Sequence, residues 1–284
     1  MNKRILLSFF SLVVIIFGCV VPACDNTVQR TTESYLYEGI SLFNNSQYEE
    51  AIENFTRAIA TDPNTVLAYI NRAAAYTRLG DFESAIVDCN RALDINPEQA
   101  LAYECRCFTY LCMNEYNLSI TDCSQAIEIE PSMTDAYLYR AMAYMLQDEY
   151  SLAIADCSRV IELDPDLVLA YMDRATLYRR IEEHELAIAD YTKVIELEPD
   201  NVDAYTHRGF MYYVIGNCEQ TIADWTKAIE LDPGDAEKYY ERGVVYEELG
   251  QIEAAIADFQ QVIDINSDQE LVQNAQKELQ EITP

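Results

Sequence analysis

Residues 168–201 read VLAYMDRATLYRRIEEHELAIADYTKVIELEPDN, and this stretch decides the fold. Counted from Val168, the residues Tyr171, Ala175 and Tyr178 fall at positions 4, 8 and 11, one stripe of a helix with 3.6 residues per turn. A second stripe follows at positions 20, 24 and 27 with Ala187, Tyr191 and Val194. Small side chains at 8 and 20 let two antiparallel helices approach closely, and large ones at 4, 11 and 24 fill the gaps. Pro199 at position 32 stops the second helix, because proline cannot donate into a helix interior. The stretch predicts a helix hairpin.

The same hairpin recurs on both sides. Prolines stand at 63, 97, 131, 165, 199 and 233, each 34 residues from the last. They divide the chain into units 32–65, 66–99, 100–133, 134–167, 168–201, 202–235 and 236–269, the seventh with Ser267 in place of proline. Position 4 is tyrosine in all seven: Tyr35, Tyr69, Tyr103, Tyr137, Tyr171, Tyr205 and Tyr239. Position 11 is Leu42 and then six tyrosines, while position 8 stays small, as Gly39, Ala73, Cys107, Ala141, Ala175, Gly209 and Gly243. This pattern resembles the tetratricopeptide repeat family and covers 238 of the 284 residues. The resemblance implies an all-α fold, a right-handed α-solenoid of seven tandem helix-turn-helix repeats whose first helices line a concave side.

Two further columns concern stability. Arginine fills position 7 in repeats two to seven (Arg72, Arg106, Arg140, Arg174, Arg208, Arg242), and aspartate fills position 23 in the same repeats (Asp88, Asp122, Asp156, Asp190, Asp224, Asp258). Repeat one loses both together, with Glu38 and Asn54. The co-occurrence predicts that these side chains pair, between the two helices of a repeat or across adjacent repeats. Residues 270–284 leave the repeat pattern but keep helical spacing at Leu271, Ala275, Leu279 and Ile282, as expected of a capping helix with a polar outer face.

The N-terminus has a different character. Lys3 and Arg4 precede an apolar run from Ile5 to Phe17, followed by Gly18 and Cys19, which describes an export signal. Ile16-Phe17-Gly18-Cys19 resembles a bacterial lipobox, and Val21-Pro22-Ala23-Cys24 is a second match, so Cys19 or Cys24 is the expected lipidation site. An uncleaved anchor is the alternative, since the apolar run barely reaches the roughly 20 residues of a membrane span. Residues 1–24 are thus read as signal or anchor, 25–31 as a linker, and the body as extracytoplasmic and membrane-anchored, with simple secretion the lesser alternative.

The net charge is −30, from 49 acidic and 19 basic side chains. Nucleic-acid affinity comes largely from neutralising phosphates with Lys and Arg, so nucleic acid is excluded as a partner. An acidic field instead steers cationic polypeptides. Half the residues are apolar, enough to bury a sizeable core, and only eight glycines and eight prolines occur, which favours helices.

Enzymatic and metal chemistry finds no footing. Cys89, Cys123 and Cys157 sit at position 24, where other repeats carry Phe55, Tyr191, Trp225 and Phe259, and Cys107 sits at the small position 8. Apolar core filling is the simplest account, and a disulfide among Cys89, Cys105, Cys107 and Cys123 stays open in an oxidising compartment. Neither His184 nor His207 has a nucleophile or carboxylate set around it, and the chain holds no phosphate loop or HExxH. No catalytic residue, metal or cofactor is expected.

Family resemblance places groove contacts on the first helices, at Ile40, Phe43, Ile70, Phe108, Leu111, Leu138, Met142, Met145, Met172, Phe210, Tyr213 and Tyr240, an apolar surface with acidic groups toward the last repeat. A surface of that kind predicts capture of a protein or peptide segment, apolar with basic flanks. The expected function is a non-catalytic, membrane-tethered scaffold. An accessory or substrate-binding subunit of an extracytoplasmic enzyme system is the other reading.

Overall fold

The structure is a computed structural model that describes residues 26–265 and 268–283. The described residues form fifteen α-helices and no strand, an all-α repeat fold of the solenoid class. The seven hairpins are α1 (Asn26–Asn44) with α2 (Tyr48–Thr61), α3 (Val66–Leu79) with α4 (Phe82–Ile95), α5 (Ala100–Cys112) with α6 (Tyr116–Ile129), α7 (Thr134–Leu146) with α8 (Tyr150–Leu163), α9 (Val168–Arg180) with α10 (His184–Leu197), α11 (Val202–Val214) with α12 (Cys218–Leu231), and α13 (Ala236–Glu248) with α14 (Ile252–Ile265). Helix α15 (Gln269–Ile282) follows. Two compact units divide at Asp156 and Cys157, inside α8.

The segment 25–31, expected to be a linker, is helical from Asn26 onward. No glycine or proline interrupts the chain between Asn26 and Gly39, so nothing stops the first helix from extending backward.

Within every hairpin, position 15 has a left-handed backbone: Ser46, Gly80, Asn114, Asp148, Glu182, Gly216 and Gly250 all have φ between 60° and 82°. The residue after it donates its backbone N–H to the carbonyl of position 11 at 2.8–2.9 Å, for example Asp81 to Tyr76 and Gln251 to Tyr246. This Schellman closure satisfies orphan carbonyls and reverses the chain in three residues. Glycine fits there without steric cost, whereas Glu182 (φ 64°) adopts the same turn against its own Cβ.

Positions 8 and 24 face each other across the first, third, sixth and seventh hairpins, and their sizes are matched. A methyl group added at Gly39, Gly209 or Gly243 would lie 2.5–2.8 Å from the ring of Phe55, Trp225 or Phe259. Glycine is what lets those rings bury. In repeat three both positions are cysteine, with Cα atoms 5.4 Å apart, and Cys107 and Cys123 form a disulfide. That settles the open cysteine alternative: these two residues are covalently joined rather than merely packed. Cys89, Cys105, Cys112 and Cys218 are free thiols.

The arginine and aspartate columns form one repeated rung. Each position-7 arginine donates from Nε and Nη2 to both oxygens of its aspartate at 2.6–2.8 Å, bridging the two helices of its own repeat. Its Nη1 donates to position 25 of the preceding repeat, a Thr, Asn or Ser: Arg72 to Thr56, Arg140 to Ser124, Arg174 to Ser158, Arg208 to Thr192 and Arg242 to Thr226, all at 2.8–3.0 Å, with Arg106 to Asn90 completing the column. The position-4 tyrosine ring lies 5.6–5.8 Å from each guanidinium carbon, and in five repeats the position-11 ring lies 5.7–6.0 Å away. Arginine and aspartate thus pair within a repeat, the first of the two predicted modes, while the contact across repeats goes to position 25 rather than to an aspartate, and the tyrosines bracket the guanidinium charge as well as filling space.

The aspartates are only 3–5% exposed. Exposed pairs such as Lys193–Glu196 contribute at most about 1 kcal/mol, whereas removing one member of a buried pair leaves an uncompensated charge. Arg174→Ala should therefore lower the unfolding free energy by about 3 kcal/mol. Arg174→Lys should recover less than half of that, because an ammonium cannot make the two-pronged contact. Urea midpoints measured at equal m-value check both.

The cap is packed by its apolar stripe. Ala275 is fully buried, and Leu271, Leu279 and Ile282 pack around Ala255, Phe259 and Val262. Asp268 starts the helix by accepting from the backbone N–H groups of Glu270 and Leu271 at 2.8 and 3.1 Å.

Candidate binding face

In the unit ending at Asp156, most predicted groove residues are covered. Ile40, Phe43, Ile70, Phe108, Leu111 and Leu138 are 2–8% exposed, while Met142 and Met145 are half-buried. The expected open apolar surface is absent among the described residues of this unit, because first helices of neighbouring repeats interdigitate. The Phe108 and Tyr139 rings meet at a tilt of 42° with centroids 4.9 Å apart, Phe43 lies under the Arg78 guanidinium at 5.9 Å, and the Thr77 and Thr109 hydroxyls share a hydrogen bond of 2.9 Å.

One buried polar group stands out there. Glu104, at position 5 of α5, is 5% exposed and makes no hydrogen bond or ion pair. Burial, together with the neighbouring Asp135 and Glu130 carboxylates, pushes its carboxyl up to about 8. Burial also raises Asp135, and Tyr139 is raised by burial and by both carboxylates. The sequence analysis did not single out Glu104; the one charged residue in the position-5 column was the available signal.

In the unit beginning at Cys157 the face is more open. Met172 is half-buried, Phe210 is 40% exposed and Val214 46%. Tyr213 donates its hydroxyl to Glu248 at 3.0 Å, and Tyr240 donates to Glu278 of the cap at 3.3 Å. Burial lifts Asp173 to about 7 and lowers His207, whose ring lies 5.6 Å from that of Tyr191. Glu247 is raised by desolvation and by its acidic neighbours Glu278, Glu281 and Glu248. The face joins exposed apolar groups to a carboxylate cluster.

In the unit ending at Asp156, burial disfavours the thiolate form of two cysteines. Burial pushes Cys112 up to about 11, and the buried Cys89 thiol, hydrogen-bonded to Cys105, is raised well above its ordinary value. Among the described residues no three His, Cys, Asp or Glu side chains gather as a metal-ligand set. No described helix is long and apolar enough to cross a membrane. The apolar run 5–17 and the lipidation candidates Cys19 and Cys24 lie outside the described residues.

Comparison with known proteins agrees with this geometry. A tetratricopeptide repeat family model matches residues 66–99, 134–167 and 236–269, in the register of the prolines. A second TPR repeat model matches 39–80, 175–216 and 211–250. Over 43 residues the chain is 46% identical to Hsp70-Hsp90 organizing protein 3 of Arabidopsis thaliana, a match covering 15% of this chain and 8% of that protein's length. Among solved structures, the C-terminal part of a TPR repeat-containing protein from Cytophaga hutchinsonii is similar with a TM-score of 0.72 at 19% identity, covering 84% of this chain and 98% of that one. YrrB, described as a TPR protein with an unusual peptide-binding site, is similar with a TM-score of 0.58 at 22% identity, covering 66% and 97%.

Glu104 gives a pH signature. Its folded carboxyl titrates near 8 and its unfolded one near 4.5, so the folded state holds the extra proton between those values. Stability contributed by this group is full below about pH 4.5 and is lost as pH rises toward 8, at no more than about 1.4 kcal/mol per pH unit. Thermal midpoints measured from pH 5 to 8.5 should fall less steeply in Glu104→Gln than in the parent chain.

Proposed function

Since the chain belongs to the tetratricopeptide repeat family, we propose that it is a non-catalytic protein–protein interaction scaffold, exported and tethered to a membrane by its N-terminal segment. Its partner is a polypeptide segment, apolar with basic flanks. The observation that carries the partner's chemistry is the juxtaposition on α11 and α13. Phe210 and Val214 stand exposed beside Tyr213, whose hydroxyl engages Glu248, and Glu247 crowds against further carboxylates. Exposed rings and aliphatics offer apolar contact area, while the carboxylates favour cations at its edge. The net charge of −30 steers such a partner inward. The peptide-binding site ascribed to YrrB is consistent with this use of the fold.

The double substitution Phe210→Asp and Val214→Asp should leave the unfolding midpoint within about 0.5 kcal/mol, since both side chains are already exposed. It should reduce recovery of the partner crosslinked to the chain in membranes by tenfold or more. Unchanged recovery would move the contact away from this face, and the recovered protein's class separates a structural scaffold from an enzyme's accessory subunit.

The tether rests on Lys3-Arg4, the apolar run 5–17 and the two cysteines. Metabolic labelling with a radioactive fatty acid should mark the parent chain, and Cys19→Ser or Cys24→Ser, whichever holds the lipid, should abolish the label. Persistence of the label in the double variant would exclude both boxes.

A further inference from the structure

The cluster around Glu104 is expensive unless something binds there. A buried polar group without a partner costs on the order of 1–3 kcal/mol, and this one is shadowed by like charge rather than relieved by a cation. Glu104 comes from α5, Asp135 and Tyr139 come one turn apart from α7, and Glu130 comes from the turn before α7. Tyr139 is 4% exposed, and like Glu104 it makes no hydrogen bond. Neither residue's polar atoms are among those sealed off from solvent without a partner, so both keep a narrow opening at their tips. From α3, Arg78 acts on Tyr139 and Cys112, but it is not among the groups acting on Glu104. From α5 itself, Cys105 and Cys112 are thiols, and Cys105 donates to the Ile70 carbonyl at 3.7 Å.

We propose that Glu104, Asp135 and Tyr139 form a subsite for an alkylammonium group, a lysine side chain of the bound polypeptide. This rests on the reading that the chain binds a polypeptide, and it names the chemistry of a contact in the unit ending at Asp156. An ammonium carries three donors, and the cluster offers two carboxylates and a phenol oxygen to receive them. The lysine's methylene stem needs apolar walls, which the tilted Phe108 and Tyr139 rings and the half-buried Met142 supply. Lysine suits the site better than arginine, whose flat five-donor fork calls for paired acceptors in one plane.

The chemistry predicts an exchange of protons. Free Glu104 is largely protonated at pH 7, its carboxyl standing near 8. Docking an ammonium favours the carboxylate, so the carboxyl proton passes to the buffer as the cation enters. Binding therefore strengthens as pH rises from 6 to 8.5.

The test uses the full-length chain in detergent, titrated calorimetrically with the peptide acetyl-Leu-Leu-Lys-Leu-Leu-amide and its Nε-acetyl-lysine counterpart, in two buffers of different ionisation enthalpy. The expected result has three parts: the lysine peptide binds at least tenfold tighter, its affinity rises with pH, and at pH 7 it releases close to one proton. Glu104→Gln should bring it to the level of the acetylated peptide and abolish the proton release. If Glu104→Gln lowers the melting temperature, Asp135→Asn carries the same comparison with a smaller loss. Equal affinities for the two peptides, or proton release that survives Glu104→Gln, would overturn the subsite and leave the groove reading intact. If n-butylammonium chloride binds with proton release but neither peptide does, the polypeptide occupant is overturned in favour of free amines. Failure of all three probes to bind overturns both the subsite and its occupant.

Discussion

The contact on which the structure depends is the three-way grip of the position-7 arginine. One guanidinium holds the aspartate of its own second helix with two hydrogen bonds and a hydroxyl or amide of the preceding repeat with a third, between tyrosine rings. An apolar stripe can slide along another with little loss, whereas a planar fork with fixed donor directions cannot. Hydrophobic burial drives the hairpins together, and the rung sets their register within each unit. In repeat one the columns carry Glu38 and Asn54 instead.

Register in turn decides what the first helices expose. With neighbouring repeats locked at one spacing in the unit ending at Asp156, positions 5, 9 and 12 of consecutive first helices close over one another, and Phe108 meets Tyr139. The apolar face there is spent on internal packing, which leaves the buried Glu104 carboxyl as its distinctive feature. In the unit beginning at Cys157, Phe210 and Val214 stay in solvent. One repeat design thus yields two chemically different faces, and acidity is common to both.

Much of this was legible in the sequence because each repeat serves as a control for the others. Tyr at 4, the small residue at 8 and proline at 32 sufficed for the hairpin and its period, and the joint loss of Arg and Asp in repeat one exposed the pairing. The third member of the rung was equally visible, as Thr56, Asn90, Ser124, Ser158, Thr192 and Thr226, but a search for apolar columns passes over it. Position 15 was obscured because only Gly80, Gly216 and Gly250 announce its left-handed backbone, while Ser46, Asn114, Asp148 and Glu182 adopt it under tertiary constraint. Burial of Ile40, Phe43, Ile70, Phe108, Leu111 and Leu138 was not legible, since it depends on how closely successive first helices approach. The linker expected at 25–31 is helical from Asn26 onward, because helix continuation needs only the absence of a breaker. Glu104 could be numbered from sequence, but its isolation from any cation required coordinates.

A double-mutant cycle between Arg208 and Thr192, with Arg208→Ala, Thr192→Val and the pair compared by urea unfolding, tests most directly whether the rung ties one repeat to the next. The two side chains are joined at 3.0 Å across a repeat boundary, so a coupling of about 0.5–3 kcal/mol is predicted. Additivity within roughly 0.3 kcal/mol would show that the arginine serves its own hairpin alone, and that register is set by apolar packing instead.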